Sequence, residues 1–276
     1  MRCSAARRSH GFTLTELAVV MTVVAFLMAS LMYTLSAQTE QRNYLETQRR
    51  LEQARELVLS FALINGRLPC PARSTSSGTE IRDVATGQCT NGAVEDYYGG
   101  TLTGGVVGGL LPAATLGSAQ VDPSGFALDA WGNRIRYAVA KSIAAGTCSG
   151  TFTNPHWVSA ANMKANGIAC QPGDLLICKS GTGITSSACG GGTNQLMSQS
   201  LVVAIVFSTG KNTTSTSGGS GVDEAANLNG AGNADPVFVF HPPNGSDFAN
   251  GEFDDQFTWI TVGELYGKLI AAGLLP

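Results

Sequence analysis

Gly11-Phe12-Thr13-Leu14-Thr15-Glu16 opens an apolar run that continues to Leu35 and decides how the rest of the chain is read. Before it, residues 1–10 carry Arg2, Arg7, Arg8 and His10 and no acid. From Phe12 to Leu35 the side chains are apolar or small and polar, with Glu16 the single charge. As a helix those 24 residues would measure about 36 Å, enough to cross a bilayer. The basic flank places the start in the cytoplasm and everything after Leu35 outside it. A secretory signal peptide is the plain alternative. It asks for a small-residue cleavage site, which Met28-Ala29-Ser30 or Ser36-Ala37-Gln38 would supply poorly. Two features oppose it: the run is long for a signal core, and it passes into further helix without Gly or Pro. Glu16 sits inside the run, and an acid at helix-centre depth costs about 2.5–3.5 kcal/mol on insertion. An acid kept there marks function.

The run continues into an amphipathic segment. Residues 38–64 mix Glu40, Arg42, Glu46, Arg49, Arg50, Glu52, Arg55 and Glu56, while Tyr44, Leu51, Ala54, Val58 and Phe61 recur on one face. That pattern predicts a helix with one apolar stripe. Glu46–Arg50 is a favourable i,i+4 pair and Glu52–Glu56 a repulsive one, so pairing alone does not account for it. Asn65-Gly66 followed by Pro69 ends the helix. One helix over 12–65, with a membrane half at about 12–35, is expected.

The processing-site residues carry a family resemblance. Basic residues, then Gly11, an aromatic at Phe12, Glu16 at the fifth place after Gly11, and about twenty apolar residues resemble the prepilin site of type IV pilins and type II secretion pseudopilins. The resemblance implies that residues 1–11 are a leader and that a membrane aspartyl peptidase cuts between Gly11 and Phe12 and methylates Phe12. It implies an assembly role for Glu16, whose carboxylate would neutralise the amino terminus of a neighbouring subunit. The partners implied are other pilin or pseudopilin subunits, the prepilin peptidase, and an inner-membrane assembly platform with its ATPase. Many pilins carry Pro near the twenty-second mature position. Here that position is Tyr33, and residues 12–65 hold neither Pro nor Gly, so no kink is signalled.

Residues 66–276 are expected to form the exported head. Arg134–Val139, Leu175–Ile177, Leu201–Phe207, Val237–Phe240 and Phe257–Ile260 have strand character. Five strands predict a mainly antiparallel sheet laid over the helix stripe, in an α+β, pilin-like fold with long disulfide-stapled loops. Thr261 and Glu264 form a capping box for a last helix, which Gly273 stops. Gly66-Arg67-Leu68-Pro69-Cys70-Pro71, Asp129-Ala130-Trp131-Gly132-Asn133 and Phe253-Asp254-Asp255-Gln256-Phe257-Thr258-Trp259 resemble segments of proteobacterial pilin-like proteins. For Trp131, Gly132 and Asn133 a turn around a buried aromatic is expected.

The chain has seven cysteines, and a cut after Gly11 removes Cys3. The six left, Cys70, Cys89, Cys148, Cys170, Cys178 and Cys189, suit an oxidising compartment. Fifteen connectivities are open. Neighbour pairing is the simplest, because each bridge then closes a short Gly-rich loop. Zinc is the rival, and it lacks a CxxC.

Composition bounds the function. The 276 residues carry 13% charged side chains and 34 glycines, with 17 basic against 20 acidic residues, net −3. That balance argues against a nucleic-acid partner. No GxSxG, HExxH or GxGxxG occurs, and Gly210-Lys211 lacks the spacing of a P-loop. After processing only His156 and His241 remain, and Asp254-Asp255 reads as a strand-entry turn whose adjacent side chains would diverge. No enzyme is expected. Asp223, Glu224, Asn227, Asn229 and Asp235 offer hard oxygen ligands within one loop, and main-class pseudopilins bind calcium in a late loop, so this loop is the candidate calcium site. The expectation is a minor pilin or pseudopilin of an inner-membrane-based filament, its head periplasmic. The alternative is a filament-borne adhesin or uptake module using the loops at 140–236.

Overall fold

The computed structural model describes residues 13–92, 94–146, 148, 155–213, 221–228 and 235–275. Helix α1 runs Leu14–Asn65. Two compact units divide the chain, Met1–Leu45 and Glu46–Pro276. In the first, the described residues after Thr13 are helix, and ten large apolar side chains from Leu14 to Met28 are exposed.

The second unit has its own core. Thr47, Leu51, Ala54, Val58 and Ala62 of α1 are buried, as is Leu59. Steps of four and three keep them on one face. Burying each of Leu51, Val58 and Leu59 stabilises the fold by about 1.5–3 kcal/mol. The observed seam differs from the expected stripe at one end. Phe61 is half-buried and lies under the Arg67 guanidinium, 5.0 Å from its ring centre, while Ala62 takes the core position. The Glu52–Glu56 repulsion is relieved by cations, one on the helix itself and one from beyond it. Arg55 contacts both acids and Glu264, and Lys268 reaches Glu56 at 3.0 Å. Gly66 closes α1 with φ of 66°, its N–H donating to the Ala62 carbonyl at 2.8 Å.

Opposite the seam lies an antiparallel sheet of β3 (Arg136–Val139), β6 (Val202–Ser208) and β8 (Gln256–Thr261), with β6 central. Every residue of β6 is buried, as its unbroken apolar run requires, whereas β8 alternates buried and half-buried. A second sheet, β5 (Gln195–Met197), β4 (Leu176–Cys178) and β7 (Val237–Val239), pairs β4 with β7 in parallel. Phe207 of β6 meets Phe238 of β7 edge-on at 5.6 Å. A two-stranded ribbon, β1 (Gly100–Leu102) and β2 (Val106–Gly108), stands apart. The fold is α+β with antiparallel sheets dominant.

The single five-stranded sheet is therefore corrected: among the described residues eight strands form three sheets. The five strands read from the sequence are present, but β4 and β7 leave the main sheet to pair with each other. β1, β2 and β5 are short, and their glycines and polar residues give no apolar run. Helices α2 (Ala160–Asn166) and α3 (Val222–Asn227) also fall where loops were expected. The last helix, α4 (Val262–Ala271), is capped by Thr261, whose hydroxyl accepts the Glu264 N–H, and Gly273 follows at φ 71°.

Two sets of polar bonds hold the chain around α1, one joining the main sheet to the helix and one just past the helix end. In the first, Asp129 accepts the N–H groups of Trp131 and Asn133 at 2.9 and 2.8 Å and the Ser208 hydroxyl at 2.6 Å. Arg50 donates to the carbonyls of Leu128 and Asp129, and the Thr47 hydroxyl accepts the Ala130 N–H. Trp131 is half-buried rather than buried, since the turn is held by these polar bonds. In the second, Glu80 accepts a forked pair from Arg67 at 2.9 and 2.6 Å and the Cys70 N–H at 2.9 Å. Disulfides join Cys70–Cys89, Cys148–Cys170 and Cys178–Cys189.

Candidate functional site

The amino-terminal site begins at Thr13; Gly11 and Phe12 lie outside the described residues. Thr13 and Glu16 form a reciprocal capping box. The Thr13 N–H and hydroxyl donate to Glu16 Oε2 at 2.9 and 2.8 Å, and the Glu16 N–H donates to Thr13 Oγ1 at 3.3 Å. This fixes the carboxylate at the first turn, where a helix favours negative charge. Around it Leu14, Leu17, Val19, Val20, Met21 and Phe26 are exposed, 86% for Leu14 and 81% for Phe26. A helix apolar on all sides is one that something else covers. Among the described residues no helix is long and apolar enough to cross a membrane.

The second site is in the head. Of the five residues expected to bind calcium, Asn229 lies outside the described residues and the other four do not converge. The reason is local. Residues 222–227 are helical, so successive side chains leave at different angles. Asp223 turns toward the Cys178–Cys189 loop, accepting the Gly181 N–H, Asn250 Nδ2 at 3.0 Å and His241 Nε2 at 3.1 Å. Asn227 acts as a strand surrogate. Its Nδ2 donates to the Val239 carbonyl and its Oδ1 accepts the Val239 N–H, at 2.9 and 2.7 Å. Asp235 accepts the Val237 N–H at 3.1 Å.

Glu224 instead meets Asp254 and Asp255. Carboxylate oxygens of the three lie within 4.8 Å of one another. Glu224 and Asp255 are buried and Asp254 is half-buried. Asp254 and Asp255 come together because β8 starts only at Gln256, so the strand alternation that would separate them does not yet apply. Each is partly satisfied. Asp254 Oδ2 accepts the N–H groups of Lys211 and Asn212 at 2.9 and 3.2 Å, and Asp255 Oδ2 accepts Asn227 Nδ2 at 2.7 Å. Glu224 Oε1 accepts the Asp254 N–H at 2.8 Å and Asn212 Nδ2 at 3.2 Å. Asp254 Oδ1, Asp255 Oδ1 and Asn212 Oδ1 are withdrawn from water with no donor. At Gly210, φ 64°, a Cβ would stand 1.7 Å from Asp254 Oδ1, so only glycine admits the carboxylate there. Burial pushes the carboxyls of Asp254 and Asp255 up. For Asp255 the Asn227 hydrogen bond opposes this, and the charges of Glu224 and Asp254 add to it. Hard oxygen atoms without donors, converging from three segments, fit a hard cation such as calcium. Asn212, Asp254 and Asp255 were invisible as ligands because nothing in their spacing links them to Glu224.

A family model, the prokaryotic N-terminal methylation motif, matches residues 6–32. This motif is the hallmark of type IV pilin and pseudopilin prepilin-type proteins. No curated protein and no solved structure matches the chain.

Proposed function

We propose that this prepilin-type chain is a minor pilin or pseudopilin, a structural subunit of a type IV pilus or type II secretion-like filament. The observation that carries the reading is the methylation motif at 6–32 running into a helix whose described apolar side chains are exposed. Cleavage after Gly11 makes Phe12 the methylated first residue. The segment 12–35 then holds the subunit in the inner membrane with its head in the periplasm, and an assembly platform feeds it into the filament. There the helices of neighbouring subunits replace lipid. Glu16 exchanges its bonds to Thr13 for the ammonium of a neighbour, so neither charge stays unpaired in an apolar core.

In the head, Glu224, Asp254 and Asp255 with Asn212 Oδ1 would hold calcium. The ion supplies positive charge to a cluster that burial otherwise leaves uncompensated. The residues tie the segment after β6, α3 and the start of β8 together around it.

The test of the filament reading is Glu16→Ala, compared in sheared filaments and in membranes. Breaking one side of a buried pair costs about 3–5 kcal/mol, several hundred-fold in subunit affinity. The variant is expected in the membrane at wild-type level and absent from filaments. Incorporation at wild-type level would refute the role given to Glu16.

A further inference from the structure

Arg136 is the one arginine of β3, and its guanidinium faces a problem the neighbouring cations do not share. Arg67 is paired with Glu80, Arg73 with Asp96, and Arg134 with Asp122. Among the described residues Arg136 has a single protein acceptor, the Gly108 carbonyl, 3.3 Å from Nη1. Among the described residues no carboxylate comes within ion-pair distance of it. A guanidinium carries five N–H donors, and on this half-buried side chain most of them are left by the protein for a ligand. Burial pushes the Arg136 pKa down to about 10, against the pull of Asp96 and Asp255 and with the push of Arg134.

Arg136 lines a pocket of about 280 Å³. Ser74, Asn133 and Thr209 add polar groups to its wall, and Val107 and Leu110 an apolar side. Arg134 stands beside it, half-exposed, its guanidinium 4.1 Å from the Phe126 ring centre. We propose that this pocket binds a carboxylate, received by the Arg136 fork, with a short aliphatic or amide body against Val107 and Leu110. A planar fork matches a carboxylate or a phosphate in two parallel bonds. The surroundings choose between them. Asp96 and Asp255 contribute negative potential at Arg136, which opposes a dianion more than a monoanion. The ligand is thus a free small acid or an acidic side chain of a partner protein. The proposal does not depend on the filament reading.

The experiment is calorimetric titration of the full chain in neutral detergent with propionate, with inorganic phosphate, and with N-acetylglutamate α-amide, whose only carboxylate is a side chain. Saturable propionate binding is expected, with phosphate weaker by about tenfold or more. Arg136→Gln should weaken propionate by about tenfold or more, and Arg136→Lys, which keeps the charge and loses the fork, by less. Arg134→Gln, at the exposed edge, should weaken it by about threefold, and keeps the test open if the Arg136 variants fail to fold. Tighter binding of the glutamate amide than of propionate identifies a partner's acidic residue as the source. Equal or weaker binding identifies a free acid. No saturable carboxylate binding, phosphate binding as tightly as propionate, or unchanged affinity in folded Arg136→Gln or in Arg134→Gln would overturn the proposal.

Discussion

Asp255→Asn separates a metal centre from a merely crowded set of acids, because the two ideas predict opposite signs. The three carboxylates of Glu224, Asp254 and Asp255 approach within 4.8 Å. At that distance and an effective dielectric near 20, each ionised pair repels by about 3.5 kcal/mol, an upper figure because protonation relieves it. Removing the Asp255 charge therefore leaves the metal-free protein as stable as wild type or more so, and Asn keeps an oxygen to accept the Asn227 bond. With calcium present the order reverses. At one hundred times its dissociation constant an ion stabilises the fold by about 2.7 kcal/mol. For a unit of this size each kcal/mol moves the unfolding midpoint by about 2–4 °C, so wild type should rise by roughly 5–10 °C. The assay is thermal unfolding of the full chain in neutral detergent, with EGTA, with millimolar calcium, and with magnesium as control. Asp255→Asn should have an EGTA midpoint at or above that of wild type and lose most of the calcium shift. A wild-type midpoint indifferent to calcium, or an equal shift in Asp255→Asn, would refute the assignment.

Mass spectrometry of the native protein should find N-methyl-Phe12 at its start; an intact Met1 or a start near Gln38 would sink the filament subunit. Leu59→Ala, at a fully buried seam position, should cost about 2–5 kcal/mol in urea unfolding, and Phe61→Ala, on the half-buried flank, clearly less. Equal losses would place the seam wrongly. His156 is buried, which pushes its pKa down to about 4, below the value of the unfolded chain. The folded state thus binds fewer protons, so stability from this residue is full above pH about 6.5 and falls by roughly 3 kcal/mol as pH drops toward 4. His156→Phe should flatten that acid limb of a denaturation series, and an unchanged limb would assign it to other groups.

The residues whose effect depends on near neighbours in sequence were legible without the fold. The helix end at Asn65-Gly66, the Thr261 cap, the strand character of Val202–Phe207 and the methylation motif each rest on a window of a few residues. Periodicity also found most of the α1 seam, but it could not choose between Phe61 and Ala62. They are adjacent on the helix, and what decides is the Arg67 guanidinium lying over the Phe61 ring. The parallel pairing of β4 with β7 joins residues about sixty positions apart, and no local preference encodes it. The acidic cluster needed the same kind of closure. Asp223 and Glu224 are neighbours in sequence, yet the turn of α3 sends one to His241 and the other to Asp254 and Asp255. Arg136 shows the limit most plainly. Its place in an alternating strand was readable, but whether a carboxylate stands opposite it depends on where Asp96 and Asp255 come to rest, which packing alone sets.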